Sequence, residues 1–211
     1  MIIKCSGEEL ELNKEKAIYW AAKRMLIISD LHIGKSAHFR KYGIPVPATI
    51  GAHDLQRLGS LIKLYNPDVV LITGDMFHNK LNSDVLLFEA WRNEHQAVKF
   101  ILVKGNHDAL SNEAYTNLGI EVVRKELLLA PFRFIHDKPT EFDEYFNITG
   151  HIHPGVTIYG KARQQLRFPC FYFSPTCAVM PAFSAFTGLS KIHREAGDQF
   201  YAITPSEVLA V

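Results

Sequence analysis

Five short polar clusters punctuate the chain: Asp30-Leu31-His32, Gly74-Asp75-Met76-Phe77-His78, Gly105-Asn106-His107-Asp108, His136-Asp137 and Gly150-His151-Ile152-His153. Carboxylates, imidazoles and one amide make an oxygen and nitrogen donor set without thiolates, which suits Mn, Fe or Zn. Seven of these residues, Asp30, His32, Asp75, Asn106, His136, His151 and His153, are too many for one tetrahedral ion. They match two ions that share one carboxylate. Asp75, directly after Gly74 at the end of an apolar run, is the fitting place for that bridge. Two divalent ions bring four positive charges; Asp30 and Asp75 return two, and a bound hydroxide returns a third. The remaining positive charge should draw in a phosphate ester. Two metals about 3.5–4 Å apart can activate a water and clamp both oxygens of an in-line displacement.

The elements that must position these residues are visible in the hydrophobic pattern. MLIIS precedes Asp30, VVLIT precedes Gly74, FILV precedes Lys104, FRFI precedes His136 and YFNIT precedes Gly150. Each run has strand length, and near-continuous apolarity predicts strands covered on both faces. Helical patterns lie between the early runs. Leu55, Leu58, Ile62 and Tyr65 recur at helical spacing until Asn66-Pro67 stops the helix. A second helix is expected over 83–96 with Ser83 as its N-cap, and a shorter third over 111–119, closing at Gly119. Alternating strands and helices indicate an α/β fold with parallel sheet. In such sheets ligands bind outside the carboxyl ends of the strands, so clusters far apart in sequence converge at one edge. Gly74, Gly105 and Gly150 let the backbone turn tightly there. Beyond His153 the helical signal fades, and GVTIYG, LRFPCFYF and CAVMPAFSAF predict a second, mostly antiparallel sheet.

Composition narrows the setting. The 211 residues, 47% hydrophobic and 21% charged, fit one globular domain spanning 1–211, with no repeat or low-complexity segment. A net charge of +1 gives no global attraction to nucleic acid or membrane, so a nucleic-acid partner needs a local basic patch. Cys5, Cys170 and Cys177 form no CxxC pair and are read as buried thiols in a reducing cytoplasm. The charged N-terminus lacks the apolar core of a signal peptide, and no apolar stretch reaches the roughly 18 residues of a membrane helix.

Each cluster alone has an ordinary explanation: Asn106 as a turn residue, His136-Asp137 as a satisfied polar pair, Gly150–His153 as a turn with exposed histidines. All five in order, each at the end of a strand-like run, do not. Their order resembles the calcineurin-like metallophosphoesterases, whose signature runs D-x-H, G-D-x-x, G-N-H-[DE], a lone His and G-H-x-H. The likeness covers residues 30 to 153. It implies a four-layer α/β/β/α sandwich with mixed parallel and antiparallel sheets. It further implies one ion on Asp30, His32, Asp75 and His153 and another on Asp75, Asn106, His136 and His151. His107 then faces the substrate, steadies the phosphate and protonates the leaving oxygen, with Asp108 orienting it. Many members carry Asp where His78 stands and Gly where Asp137 stands, which marks His78 as a local variant lining the site.

Two flanking segments, KAIYWAAKRMLIISDLHIGKSAHFRKYGIPVP and MPAFSAFTG, resemble the ligase-associated DNA-repair phosphoesterases of bacteria. That narrower likeness implies two manganese ions, a DNA phosphodiester substrate, and association with an ATP-dependent DNA ligase and a helicase. Lys35, Arg40 and Lys41 follow the first motif closely and read as a loop that grips a phosphate backbone, with Phe39 or Tyr42 stacking on a base. Lys161, Arg163 and Arg167 form a second basic cluster, read as a basic β-turn. Two alternatives are carried along: a phosphomonoesterase or small-nucleotide phosphodiesterase, which the near-neutral charge leaves open, and a non-catalytic scaffold of the same fold, which the complete donor set opposes.

Overall fold

Strands β1 (Ile2–Cys5), β2 (Glu8–Asn13) and β3 (Ala17–Trp20) form an antiparallel meander that runs into β4 (Met25–Ile28). The computed structural model describes residues 1–47, 49–78, 83–141, 143–160 and 164–211. Helix α1 (Lys35–Lys41) and helix α2 (Thr49–Tyr65) lead to β5 (Val69–Ile72). Helix α3 (Ser83–Asn93), β6 (Lys99–Val103), helix α4 (Asn112–Asn117) and β7 (Ile120–Val123) complete the first sheet. Its seven strands lie in chain order, and β4 to β7 are parallel. The three crossover helices fall where the periodicity placed them. Ser111 caps α4, its Oγ accepting from Ala114 N at 3.1 Å.

The second sheet holds β8 (Glu126–Leu129), β9 (Phe132–Ile135), β10 (Phe146–Thr149), β11 (Pro154–Tyr159), β12 (Gln165–Phe173), β13 (Cys177–Val179), β14 (Ser190–Lys191), β15 (Gln199–Ile203) and β16 (Val208–Ala210). Its order is β14-β11-β12-β13-β10-β9-β8, with β15 on β12 and β16 on β15. Pairs β9–β10 and β10–β13 are parallel, while β11–β12, β12–β15 and β15–β16 are antiparallel. Antiparallel pairing therefore dominates after His153, as expected, but the sheet begins earlier, at β8.

Strand alternation assembles the core. Leu26, Ile28, Val70, Ile72, Phe100 and Leu102 face α2–α4, where Leu55, Leu58, Val85, Phe88 and Tyr115 meet them. The alternate residues Met25, Ile27, Leu71, Ile101 and Val103 pack against Phe132, Phe134, Ile148, Phe171 and Phe173 of the second sheet. This double coverage explains the continuous apolar runs. The α/β class with two packed, mixed parallel and antiparallel sheets and flanking helices stands as expected. Among the described residues no α-helix follows Asn117. The outer face of the second sheet instead buries Cys170, Tyr172, Cys177, Val179 and Phe200 beneath Ile152, Val156 and Ile192. The cations of Lys138 and Arg194 lie over the Tyr172 and Phe200 rings. The three cysteines are free and buried, and burial pushes the Cys170 thiol up to about 12, away from reactivity.

Candidate metal centre

Parallel strands β4, β5 and β6 end at one edge of the first sheet, and parallel β9 and β10 end at the facing edge of the second. Asp30 and His32 follow β4, Asp75 follows β5, and Asn106, His107 and Asp108 follow β6. His136 follows β9, and His151 and His153 follow β10. Backbone bonds continue past the ladders: Asp30 N donates to Gly74 O at 3.1 Å, His32 N to Asp75 O at 2.9 Å and Gly150 N to His136 O at 3.1 Å. Five of the candidate ligands sit in left-handed backbone: Asp30 (φ 53°), His32 (48°), Asp75 (49°), His151 (65°) and His153 (54°). Such conformations cost on the order of 1–3 kcal/mol each and gather at functional sites. The glycines permit close approach. A Cβ on Gly74 would lie 1.9 Å from His136 Nδ1, and one on Gly150 would lie 1.9 Å from Ser29 Oγ.

Two donor groups result. In the first, Asp30, His32 and His153 bring one donor atom each within 4.8 Å of one another. Asp30 Oδ2 is occupied: it accepts from Ser29 Oγ at 2.5 Å and from His151 N at 3.1 Å. Asp30 Oδ1, both His32 ring nitrogens and His153 Nε2 are buried without a hydrogen bond. Burial, with the nearby Lys35 cation, lowers the His32 pKa to about 3 and keeps its ring neutral.

The second group is Asp75, His136 and His151. Thr73 O lies 2.9 Å from His136 Nδ1 and fixes the proton there, which turns Nε2 toward the centre. His136 Nε2 is 3.1 Å from Asn106 Oδ1, 3.2 Å from His151 Nδ1 and 3.4 Å from Asp75 Oδ1. Burial alone would lower the His136 pKa, but the Asp75 carboxylate raises it to about 9. Burial alone would raise the Asp75 pKa, but the His136 bond and charge and the His107 N–H hold it at about 2.

Orphaned buried donors in the first group are a fit test for a cation, because an unpaired buried polar atom is costly. The nitrogen and oxygen set of both groups suits divalent ions of the Mn, Fe and Zn kind.

His107 stands at the rim with its side chain 39% exposed, its ring 5.6 Å from that of His32 and 4.8 Å from that of His78. Asp108 differs from expectation. Its Oδ1 accepts from Phe77 N at 3.0 Å and its Oδ2 from Gly105 N at 2.9 Å, so it braces two loop backbones rather than the His107 ring. The His78 ring lies 5.8 Å from that of His32. His38 lies beyond it, 5.1 Å from the His78 ring. Only the fold shows that neighbourhood, because His38 has no motif around it.

The basic loop is helix α1. Lys35 lies within the field of Asp30 and Asp75, and burial lowers its pKa. Arg40 turns away toward Pro47 O at 3.5 Å and the Asp84 carboxylate at 3.6 Å. The side chain of Lys41, and all of Lys161 and Arg163, lie outside the described residues. The segment after Ala182 does approach the centre. Phe183 N donates to Ser29 O at 2.7 Å, Ser184 N to Asp30 O at 3.1 Å, and Phe186 packs edge-on against Phe39 of α1.

Residues 23–176 match the calcineurin-like phosphoesterase family, and the chain belongs to it. It is a metal-dependent phosphoesterase, a hydrolase of phosphoric esters. Among solved structures it is similar to the nuclease MPE of Pseudomonas putida, at 31% identity and a TM-score of 0.83, over 100% of this chain and 99% of that one. The phosphoesterase Yfce of E. coli matches at 16% identity and a TM-score of 0.47, over 89% of this chain and 97% of that one. The protein of unknown function AQ665 of Aquifex aeolicus matches at 18% identity and a TM-score of 0.43, over 65% and 81%. No curated protein matches the chain. Among the described residues no helix is long and apolar enough to cross a membrane.

Proposed function

We propose that this chain is a single-domain, two-metal phosphodiesterase that acts on DNA in the cytoplasm, with manganese as its metal. The observation that carries the reading is full-length likeness to a nuclease, joined to two donor groups at one sheet edge. Asp30, His32, Asp75 and His153 would hold one ion, and Asp75, Asn106, His136 and His151 the other. When bound, the pair supplies positive charge for the phosphoryl oxygens and lowers the pKa of a water. The protein's own groups do the rest. His107, at the rim, holds a phosphate oxygen and gives a proton to the departing alcohol oxygen. Lys35 adds positive charge toward the phosphate, and His78 walls the substrate side. Asp108 keeps the 105–108 loop and the backbone of Phe77 in register. An ATP-dependent DNA ligase and a helicase are the proposed partners, on the sequence resemblance alone; co-purification of the three proteins tests it.

The experiment is hydrolysis of an aryl phosphodiester, an aryl phosphomonoester and a DNA oligonucleotide, with manganese, beside Asp75→Ala. Cleavage of diester and DNA, lost in the variant, is expected. Cleavage of the monoester alone would overturn the reading in favour of a phosphatase.

A further inference from the structure

The three strands that lead away from His153 carry an open basic face. Strand β11 begins at the next residue, and β14 is anchored to the centre by Ser190 N, which donates to His153 O at 2.8 Å. Register sets which side chains share a face. Gly155 pairs with Lys191, Thr157 with Arg167, and Tyr159 with Gln165. Alternation along β12 puts Arg167 on the face that, further along the strand, turns Phe171 and Phe173 toward the first sheet. Among the described residues no strand of that sheet covers this stretch: Tyr159 is 72% exposed, and Gln165, Arg167 and Lys191 are exposed as well.

Arg167 is held in place without being neutralised. Its Nη2 donates to Leu189 O, a neutral acceptor, at 2.7 Å. A Cβ on Gly155 would come within 3.2 Å of its Nε and 2.8 Å of Leu189 Cβ, so the glycine leaves room for the arginine to lie across β11. Among the described residues, no carboxylate is paired with Arg167 or Lys191. Arg194 lies over the Phe200 ring of the outer face and takes no part here.

We propose that this face of β14, β11 and β12 is an exosite for the phosphate backbone of a nucleic-acid strand whose scissile phosphate lies at the metal centre. The inference rests on the nucleic-acid reading above and adds where the strand runs. Thr157 lies four residues past His153, so Arg167 opposite it stands about 13 Å along the strand. That is roughly four times the axial rise of about 3.4 Å per phosphate of one duplex strand. Arg167 and Lys191 contact phosphates, and the exposed Tyr159 ring offers a surface for a base.

The test uses the full, manganese-loaded chain with Arg167→Glu and Lys191→Glu, singly and together. Aryl phosphodiester hydrolysis should stay at the wild-type rate, which also reports that the variants fold. Oligonucleotide affinity should fall about tenfold or more in the double variant, and the slope of log K against log salt should shrink by about 1.4–1.8. Wild-type oligonucleotide binding with unchanged affinity and slope in the double variant overturns the exosite and leaves the DNA reading standing. A wild-type protein that hydrolyses the aryl diester but neither binds nor cleaves oligonucleotides overturns both.

Discussion

Asp30, His32 and His153 hold their donor atoms free of hydrogen bonds, whereas Asp75, Asn106, His136 and His151 are bonded to one another through the His136 ring. The first half is arranged by its surroundings: Ser29 and the His151 amide occupy one oxygen of Asp30 and leave the other facing His153 Nε2 at 3.2 Å. In the second half, the His136 ring, whose pKa the Asp75 carboxylate raises to about 9, stands 3.4 Å from that carboxylate where a cation would be held. A metal entering the first half satisfies the His32 ring nitrogens, which have no hydrogen bond, and replaces one contact between Asp30 and His153; one entering the second must displace a proton and separate several contacts. The first half should therefore bind metal more tightly and with less dependence on pH.

Removing the proposed link between the halves should do the most damage. Asp75→Ala is expected to lower kcat/KM for an aryl phosphodiester by at least roughly a thousandfold, since several kcal/mol of charge stabilisation are at stake. Elemental analysis after dialysis should show metal lost from both halves. One full equivalent retained would mean that Asp75 serves the second half alone. Next in size is His107→Ala, which should cut turnover by about 10²- to 10⁴-fold with metal content unchanged. Metal lost to the same extent as in Asp75→Ala would remove His107 from the substrate side.

Acidity should separate the halves further. Metal-free His136 carries its extra proton below about 9, while His32 is neutral above about 3. Titration calorimetry should then show affinity of the weaker site rising about tenfold per pH unit between about pH 6 and 8, with one proton released. The tighter site should stay nearly flat. The same shift acts on the metal-free fold. Because the His136 pKa is raised above 6.5, its pairing with Asp75 stabilises fully below that value and is lost as pH climbs through about 9. A metal-free melting temperature that rises with pH over this window would contradict the pairing.

The smallest effect is expected at Asp108, which touches neither half directly. Asp108→Ala leaves the Phe77 and Gly105 amides unpaired and should cost about 1–3 kcal/mol in thermal or urea unfolding. Asp108→Asn keeps one acceptor and should cost less, with turnover little changed. A fall in turnover as large as that of His107→Ala would restore a direct role in orienting the imidazole.

Much of this centre was legible because strands and their ends are local signals. An apolar run followed by Gly and a polar cluster marks a strand end, and the α/β rule says where such ends gather. The misses have physical causes. Helix α1 reads as a basic loop because seven polar-rich residues are too few to reveal a period; packing fixes it, through Ser36 Oγ on Asp84 at 2.9 Å and Phe39 on Phe186. Strands β1–β3 were hidden by charge, although Leu10 and Leu12 alternate into the core while Glu9 stays out.

By itself, then, the sequence determined which donors exist, which strands carry them and that they suit divalent ions, because composition and period act over a few neighbouring residues. Tertiary structure alone decided how those donors point. The left-handed backbone at five candidate ligands, the division of the Asp30 oxygens and the proton on His136 Nδ1 all depend on partners far along the chain. His151 N reaches Asp30 across 121 positions, and Thr73 O meets His136 across 63. No local preference encodes such contacts; they exist once two sheets close on a common core and the closed core can sustain the strain at its edge.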